Sequence, residues 1–321
     1  MSREHPLNWS RAAPRPPLKL RALARRLAAG LKPAPATTGA PLDTQGLFVI
    51  GAARSGTTIL QNALNHSPDI FMLGEPQLHM EPEAPGFAAR YNAMHRSWRN
   101  QETKSTYLPP LLEADGTGEA YLVRLAQLYR WVGAKIVIET GRESAWTEAL
   151  FAYLCRRFYR ARYIVTFRDP LAVVCSTRDL QTLSGVGVES PRAMMANYAR
   201  VVALYVRMLR NLPNVRAVFH NDIGPATFDE LGSWLGVPLT GAADYYEAAR
   251  VRRYALEELD EAARRDLDAL VILYSELRKA ASSGFGRPQL EQNDGHLSPT
   301  HFTSLGSITR RAAMLAETLG R

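Results

Sequence analysis

From residue 47 to about residue 280, two hydrophobic rhythms alternate along the chain. Short apolar runs predict strands at 47–50, 69–73, 135–138, 162–167 and 215–219. Between them, apolar residues recur at helical spacing and predict helices over 57–65, 119–131, 144–158, 170–180, 191–211, 226–235 and 255–280. Leu47 to Ile50 are apolar without a break, as suits a parallel strand buried on both faces. The alternation predicts an α/β fold, a doubly wound and mostly parallel sheet flanked by helices. One interval breaks the rhythm. From Glu75 to Gly118 the chain reads as irregular, with Pro76, Pro82, Pro85, Pro109 and Pro110 and the aromatic residues Tyr91, His95, Trp98 and Tyr107. It follows the second strand, near the carboxyl edge of such a sheet, and is read as a substrate-binding region.

The turn after the first strand carries the chemistry. In LFVIGAARSGTTILQNALN (47–65), a strand gives way to a loop and the loop to a helix. Free amides at the helix start and the helix dipole favour an anion there. Gly51 and Gly56 stand at Walker A spacing, so the sheet is expected to be of the P-loop type. Thr57, however, occupies the place of the Walker lysine, and the positive charge lies inside the loop at Arg54. Such a cradle suits an anion other than a metal-bound triphosphate. A second anion site is predicted in RDPLAVVCS (168–176), after the strand 162–167. Arg168 can grip a phosphate with two parallel hydrogen bonds, and Ser176 can add a hydroxyl from the next helix, for which Pro170 suits the first turn. Taken alone, the Arg-Asp pair serves equally to tie strand to helix.

GAARSGTT (51–58) resembles the 5′-phosphosulfate loop of sulfotransferases that use 3′-phosphoadenosine 5′-phosphosulfate (PAPS), and its Arg-Ser-Gly-Thr-Thr form is similar to the carbohydrate and tyrosyl-protein branches. RDPLAVVCS resembles that family's 3′-phosphate segment, with Arg168 and Ser176 at its two binding places. A weaker resemblance runs through VRAVFHNDI…FDELGSWLGVPL (215–239), so the likeness spans roughly 45 to 240. The resemblance implies a sulfotransferase with PAPS as donor and no metal ion. Its cofactor-binding residues would be Ala53, Arg54, Ser55, Gly56, Thr57, Thr58, Arg168 and Ser176. An acceptor hydroxyl must lose a proton as it attacks sulfur, so a base is needed within hydrogen-bond reach. In DIFMLGEPQLH, Glu75 matches the position of the base of tyrosyl-protein sulfotransferases, in a Gly-Glu pair after the second strand. Glu75 and Arg54 are therefore the expected catalytic residues, with His79 the second candidate for the base. An exposed strand-end glutamate is the plain alternative for Glu75.

One family feature is missing. Relatives carry a lysine before the helix that precedes the 3′-phosphate strand, where it helps neutralise the leaving phosphate. In KIVIETGRES (135–144) that place falls to Glu143, with Arg142 one residue earlier and Lys135 farther back, inside the strand. The expected substitute is Arg142, or Arg54 acts alone. The acceptor is read as a carbohydrate, glycolipid or small metabolite, with peptide tyrosine second. A P-loop kinase or NTPase would place lysine after Gly56 and an Asp at a strand end for magnesium. A non-catalytic nucleotide-binding protein would keep the fold without Glu75.

Composition refines this picture in one respect. The formal charge of +8 is concentrated: residues 1–40 hold eight basic side chains and one acidic, leaving the rest of the chain at +1. A basic chain of this kind does not call for nucleic acid. Leu20, Leu23, Leu27 and Leu31 share one helical face, with Lys19, Arg21, Arg25 and Arg26 opposite. Residues 18–32 thus suit peripheral contact with an anionic membrane or a partner, or packing on the enzyme's own surface. With two cysteines and no signal-peptide core at the amino terminus, a cytoplasmic location is expected. The divisions read from the sequence are a basic arm (1–44), a sulfotransferase domain (45–280) and a carboxy-terminal tail (281–321) ending in a helix over 306–319.

Overall fold

The computed structural model describes residues 41–42, 44–96, 116–141, 144–185, 187–245, 252–282 and 299–320. The predicted amphipathic helix of the amino-terminal arm, Trp98, Tyr107, Arg142 and Glu143 lie outside these residues. Five strands form one sheet: β1 (Gly46–Ala52), β2 (Ile70–Gly74), β3 (Trp131–Ile138), β4 (Arg162–Phe167) and β5 (Val215–Phe219). Their spatial order is β2-β3-β1-β4-β5, and every pairing among the described residues is parallel.

Side-chain alternation along the strands divides the core into two layers. Phe48 and Ile50 of β1 face one layer with Phe71, Leu73, Tyr163, Val165 and Phe167. Leu47 and Val49 face the other with Ile70, Met72 and Ile164. The second layer is covered by α1 (Thr57–His66) and α7 (Pro225–Leu235), through Leu60, Leu64, Phe228 and Leu231. The first is covered by α2 (Phe87–Arg96), α3 (Gly118–Ala126), α4 (Ser144–Arg157), α5 (Pro170–Ser184), α6 (Pro191–Asn211), α8 (Glu261–Ser282) and α9 (Pro299–Gly320). The sheet is therefore doubly wound, as the alternation of strand and helix patterns predicts.

Several elements differ from the sequence reading. First, the predicted helix over 119–131 ends at Ala126, and β3 begins at Trp131 rather than at 135. Tyr129 and Leu128 close that helix by donating to the Leu125 carbonyl, after which Trp131 and Val132 bury as strand residues. The apolar residues around Arg130 satisfy either period, and the sheet decides. Second, part of the interval 75–118 is regular. The helix α2 buries Phe87, Ala88 and Tyr91 against the core. Third, α8 starts at Glu261, where Asp260 accepts the Ala263 amide at 2.8 Å, six residues later than the apolar pattern suggests. The last helix is longer than predicted, and its Leu305, Ile308, Ala312 and Leu315 join the first core layer against α6 and α8.

A buried ion pair fastens α3 to α4. Glu119 and Arg157 are 3% and 6% exposed, and the Arg157 Nε donates to Glu119 Oε1 at 2.8 Å. Removing one member of such a pair strands a charge in a low-dielectric interior. The Glu119→Ala variant should lose about 3–5 kcal/mol of stability, measured by urea unfolding. A loss of only a few tenths would show that water reaches Arg157.

Candidate active site

The sheet order places a topological switch point between β1 and β4. From β1 the chain passes through α1 toward β2 on one side, and from β4 it passes through α5 and α6 toward β5 on the other. Connections leaving adjacent strands in opposite directions open a crevice at their carboxyl ends, where ligands of such sheets bind.

The loop after β1 turns through two left-handed residues, Arg54 (φ 64°) and Gly56 (φ 101°). At Gly56 a side chain is excluded twice over, because an added Cβ would also lie 2.7 Å from the His220 ring. Ser55 braces the turn. Its hydroxyl donates to the Ala52 carbonyl at 2.7 Å and lies 2.8 Å from the Thr166 hydroxyl of β4. The Ser55 amide also bonds Ala52, so this residue shapes the cradle from within. Ala53 is half-buried at the turn and Thr57 is buried, while Arg54 and Thr58 are exposed. Gly56 caps α1 without any side-chain hydrogen bond, unlike Asp169 on α5 and Ser190 on α6. The amides of the first α1 turn are thereby left to an external acceptor.

Arg168, at the end of β4, and Ser176, on α5, converge on this loop. The Arg54 Nε donates to Ser176 Oγ at 2.9 Å across 122 residues of sequence. The buried Arg168 guanidinium donates to the carbonyls of Arg54 at 3.3 Å and Arg252 at 3.5 Å, while its own carbonyl accepts from the Tyr198 hydroxyl at 2.9 Å. Two of the predicted anion-binding segments thus meet through side chains that bear the charge. His220 packs behind them at the end of β5, only 3% exposed. Burial and the neighbouring Arg168 cation push its imidazole down to about 4 from the ordinary 6.5, so the ring behind the crevice is neutral.

Glu75 follows β2, two strands out from β1. Its backbone is left-handed (φ 50°), a costly conformation for a non-glycine residue, and its amide donates to the Lys135 carbonyl at 3.0 Å. The Tyr91 hydroxyl of α2 supports the same strand end by accepting the Gly74 amide at 2.8 Å. Burial and nearby Glu75 push that phenol upward, so it remains protonated. Tyr91 therefore braces the strand end from which Glu75 follows. Lys135, which the sequence reading set aside as too early, sits beside Glu75. Its Nζ lies 2.6 Å from Glu75 Oε1 and donates to Thr58 Oγ1 at 3.0 Å. A lysine within a strand buried on both faces was the available signal, because such a charge needs a partner. Glu75, Gln77, His79, Lys135, Glu139 and Trp146 line one pocket. His79 is 8% exposed and packs edge-on against Trp146, with ring centroids 4.4 Å apart.

The profile described as "Sulfotransferase family" matches residues 46–227, which include both predicted anion-binding segments and Glu75. The chain belongs to the sulfotransferase family. Among solved structures it is similar to the sulfotransferase domain from the curacin biosynthetic pathway, 20% identical with a TM-score of 0.45 over 67% of this chain and 82% of that one. It is also similar to the sulfotransferase domain of the Synechococcus PCC 7002 olefin synthase, 16% identical with a TM-score of 0.48 over 90% of this chain and 98% of that one. A sulfotransferase from Alicyclobacillus acidocaldarius is 18% identical, with a TM-score of 0.44 over 72% of this chain and 92% of that one. No curated protein matches the sequence.

The depressed His220 imidazole gives this sulfotransferase a pH signature. Between pH 4 and 6.5 the unfolded chain binds a proton there that the folded chain does not. Its contribution therefore makes stability fall as pH drops through that window and leaves it unchanged above. A His220→Gln variant should show a flatter fall of urea-unfolding free energy over the same range. An unchanged slope would mean that His220 titrates normally in the folded protein.

Proposed function

We propose that the chain transfers a sulfuryl group from PAPS to an acceptor hydroxyl. The observation that carries this reading is the hydrogen bond from Arg54 to Ser176. It joins the two anion-binding segments in one crevice, with a carboxylate on the same edge of the sheet. An adenosine carrying phosphate at both 3′ and 5′ positions needs two such sites. The donor set fits it: uncapped helix amides, the Thr57 and Thr58 hydroxyls and Arg54 for the phosphosulfate end, Arg168 and Ser176 for the 3′-phosphate. When bound, PAPS supplies an activated sulfuryl group.

The chain's own residues do the rest. Loop 51–58 orients the phosphosulfate end, with Ser55 keeping the loop's shape. Glu75 accepts the proton of the attacking hydroxyl. Arg54 offsets the charge that gathers on the departing phosphate. The acceptor enters through the pocket beside Glu75, and a carbohydrate-type or small-metabolite hydroxyl is favoured over tyrosine. Arg142, the sequence-based substitute for the family lysine, lies outside the described residues. The reaction is placed in the cytoplasm, and the basic arm is assigned contact with an anionic membrane or a partner.

Incubation with sulfur-labelled PAPS and a lysate of the source organism should label a hydroxyl-bearing product and release the bisphosphate nucleotide. Label released only as free sulfate, or retained on the donor, would contradict the assignment. Arg168→Ala should weaken adenosine 3′,5′-bisphosphate about ten- to a hundredfold by calorimetry, the worth of a charge-assisted hydrogen bond. Its effect on adenosine 5′-phosphate should be within a few-fold. Equal losses would make Arg168 a structural residue. Glu75→Gln should lower kcat by about 10²–10⁴-fold without loss of nucleotide affinity. His79→Asn should have a much smaller effect, and the reverse order of severity would make His79 the base.

A further inference from the structure

Lys135 has a place in the site that the functional reading above does not use. It lies on β3 opposite Gly74 of β2, so Glu75 begins where its ladder ends. Its side chain is 7% exposed, against 21% for Glu75, and its ammonium is the group between that carboxylate and Thr58. Thr58 belongs to the first turn of α1, whose amides face the crevice. An ammonium removed from water to this extent requires nearby negative charge. Before an anion reaches the loop, Glu75 supplies it. With its Oε1 2.6 Å from that ammonium, the Glu75 carboxylate is occupied by Lys135 rather than open to an acceptor hydroxyl.

We infer that Lys135 is shared between Glu75 and the 5′-phosphate end of the donor, so that filling the phosphate loop draws the ammonium away from the base. The inference rests on the sulfotransferase reading. The phosphosulfate end of the donor, charged on both its phosphate and its sulfate, carries more negative charge than Glu75, and lysine's flexible four-carbon stem reaches Thr58 of the phosphate loop already. Glu75 is then released to accept the proton of the acceptor hydroxyl as its oxygen bonds to sulfur. The electron pair of the broken sulfur–oxygen bond stays on the phosphate, which Lys135 and Arg54 face, and the lysine keeps its own protons. Access to the base is thereby linked to donor occupancy, and a site without donor holds the Glu75 carboxylate engaged by Lys135. Lys135 is a catalytic residue in this scheme, and the missing family lysine is compensated from within a strand.

Binding without turnover tests the sharing. Adenosine 3′,5′-bisphosphate and adenosine 3′-phosphate would be titrated calorimetrically into the wild type, Lys135→Gln, Glu75→Gln and the double variant, each checked by thermal melting. Lys135→Gln should weaken the bisphosphate about tenfold, the lower end for a charged hydrogen bond, and leave the 3′-monophosphate unchanged. Glu75→Gln should tighten the bisphosphate several-fold by ending the competition for the ammonium, and this gain should vanish in the double variant. A gain that persists without Lys135 is simple charge repulsion by Glu75 and overturns the sharing. So does a Lys135→Gln variant that loses both nucleotides equally. Should Lys135→Gln fail to fold, Glu75→Gln alone decides: absence of tightening toward the bisphosphate overturns the inference. A wild-type chain that binds neither nucleotide contradicts the sulfotransferase reading itself, whereas normal wild-type binding with the wrong variant pattern contradicts only the role of Lys135.

Discussion

With β1 paired in parallel to β3 on one side and β4 on the other, the carboxyl ends of three strands open on the same edge. Every group of chemical interest follows from that alignment. The candidate phosphate loop leaves β1, Arg168 leaves β4, and Lys135 comes from within β3, with Glu75 following β2 beside it. Residues separated by more than a hundred positions in sequence approach within hydrogen-bond distance because the strands that carry them share a register. Small residues permit the close approach. A Cβ on Gly51 would lie 2.4 Å from the hydroxyls of Ser55 and Thr166, which together pin the loop to β4.

The electrostatic arrangement follows from what such an edge must receive. Arg54 and Arg168 bring cationic side chains to the crevice, where the Arg54 Nε donates to the Ser176 hydroxyl and the Arg168 guanidinium to the carbonyls of Arg54 and Arg252. An anion in the crevice would offer these donors a stronger acceptor than a hydroxyl or a carbonyl. Lys135 is engaged by the Glu75 carboxylate. The backbone at Glu75 is strained, and the ladder bond to Lys135 and the Tyr91 contact at Gly74 fix it in that conformation. Strain of this kind persists only where surrounding structure over-determines it.

Much of this was legible in the chain. Five short, largely apolar runs marked five strands, and the glycine spacing marked the tight turn after β1, because backbone geometry leaves few alternatives at such turns. The places of Arg168 at a strand end and of Ser176 on the following helix were legible from the strand run and from Pro170 at the helix start. The start of β3 was not, since Leu128 to Val132 satisfy helical and strand periods alike and only pairing with β1 and β2 separates them. The helix α2 was hidden by the prolines around it, and with it the support that Tyr91 gives to the strand end before Glu75. Lys135 was set aside on sequence distance, and the sheet register, invisible in one sequence, brings it next to Glu75.

The central claim is that one crevice between β1 and β4 holds a nucleotide by two phosphates at once, with Glu75 and Lys135 beside the reacting end. A crystal structure of the full chain with adenosine 3′,5′-bisphosphate tests it most directly. The account predicts the 5′-phosphate against the amides of the first α1 turn and the 3′-phosphate on Arg168 and Ser176, with Arg54 between the two. A nucleotide bound in the opposite sense, or away from the β1 and β4 ends, would contradict it.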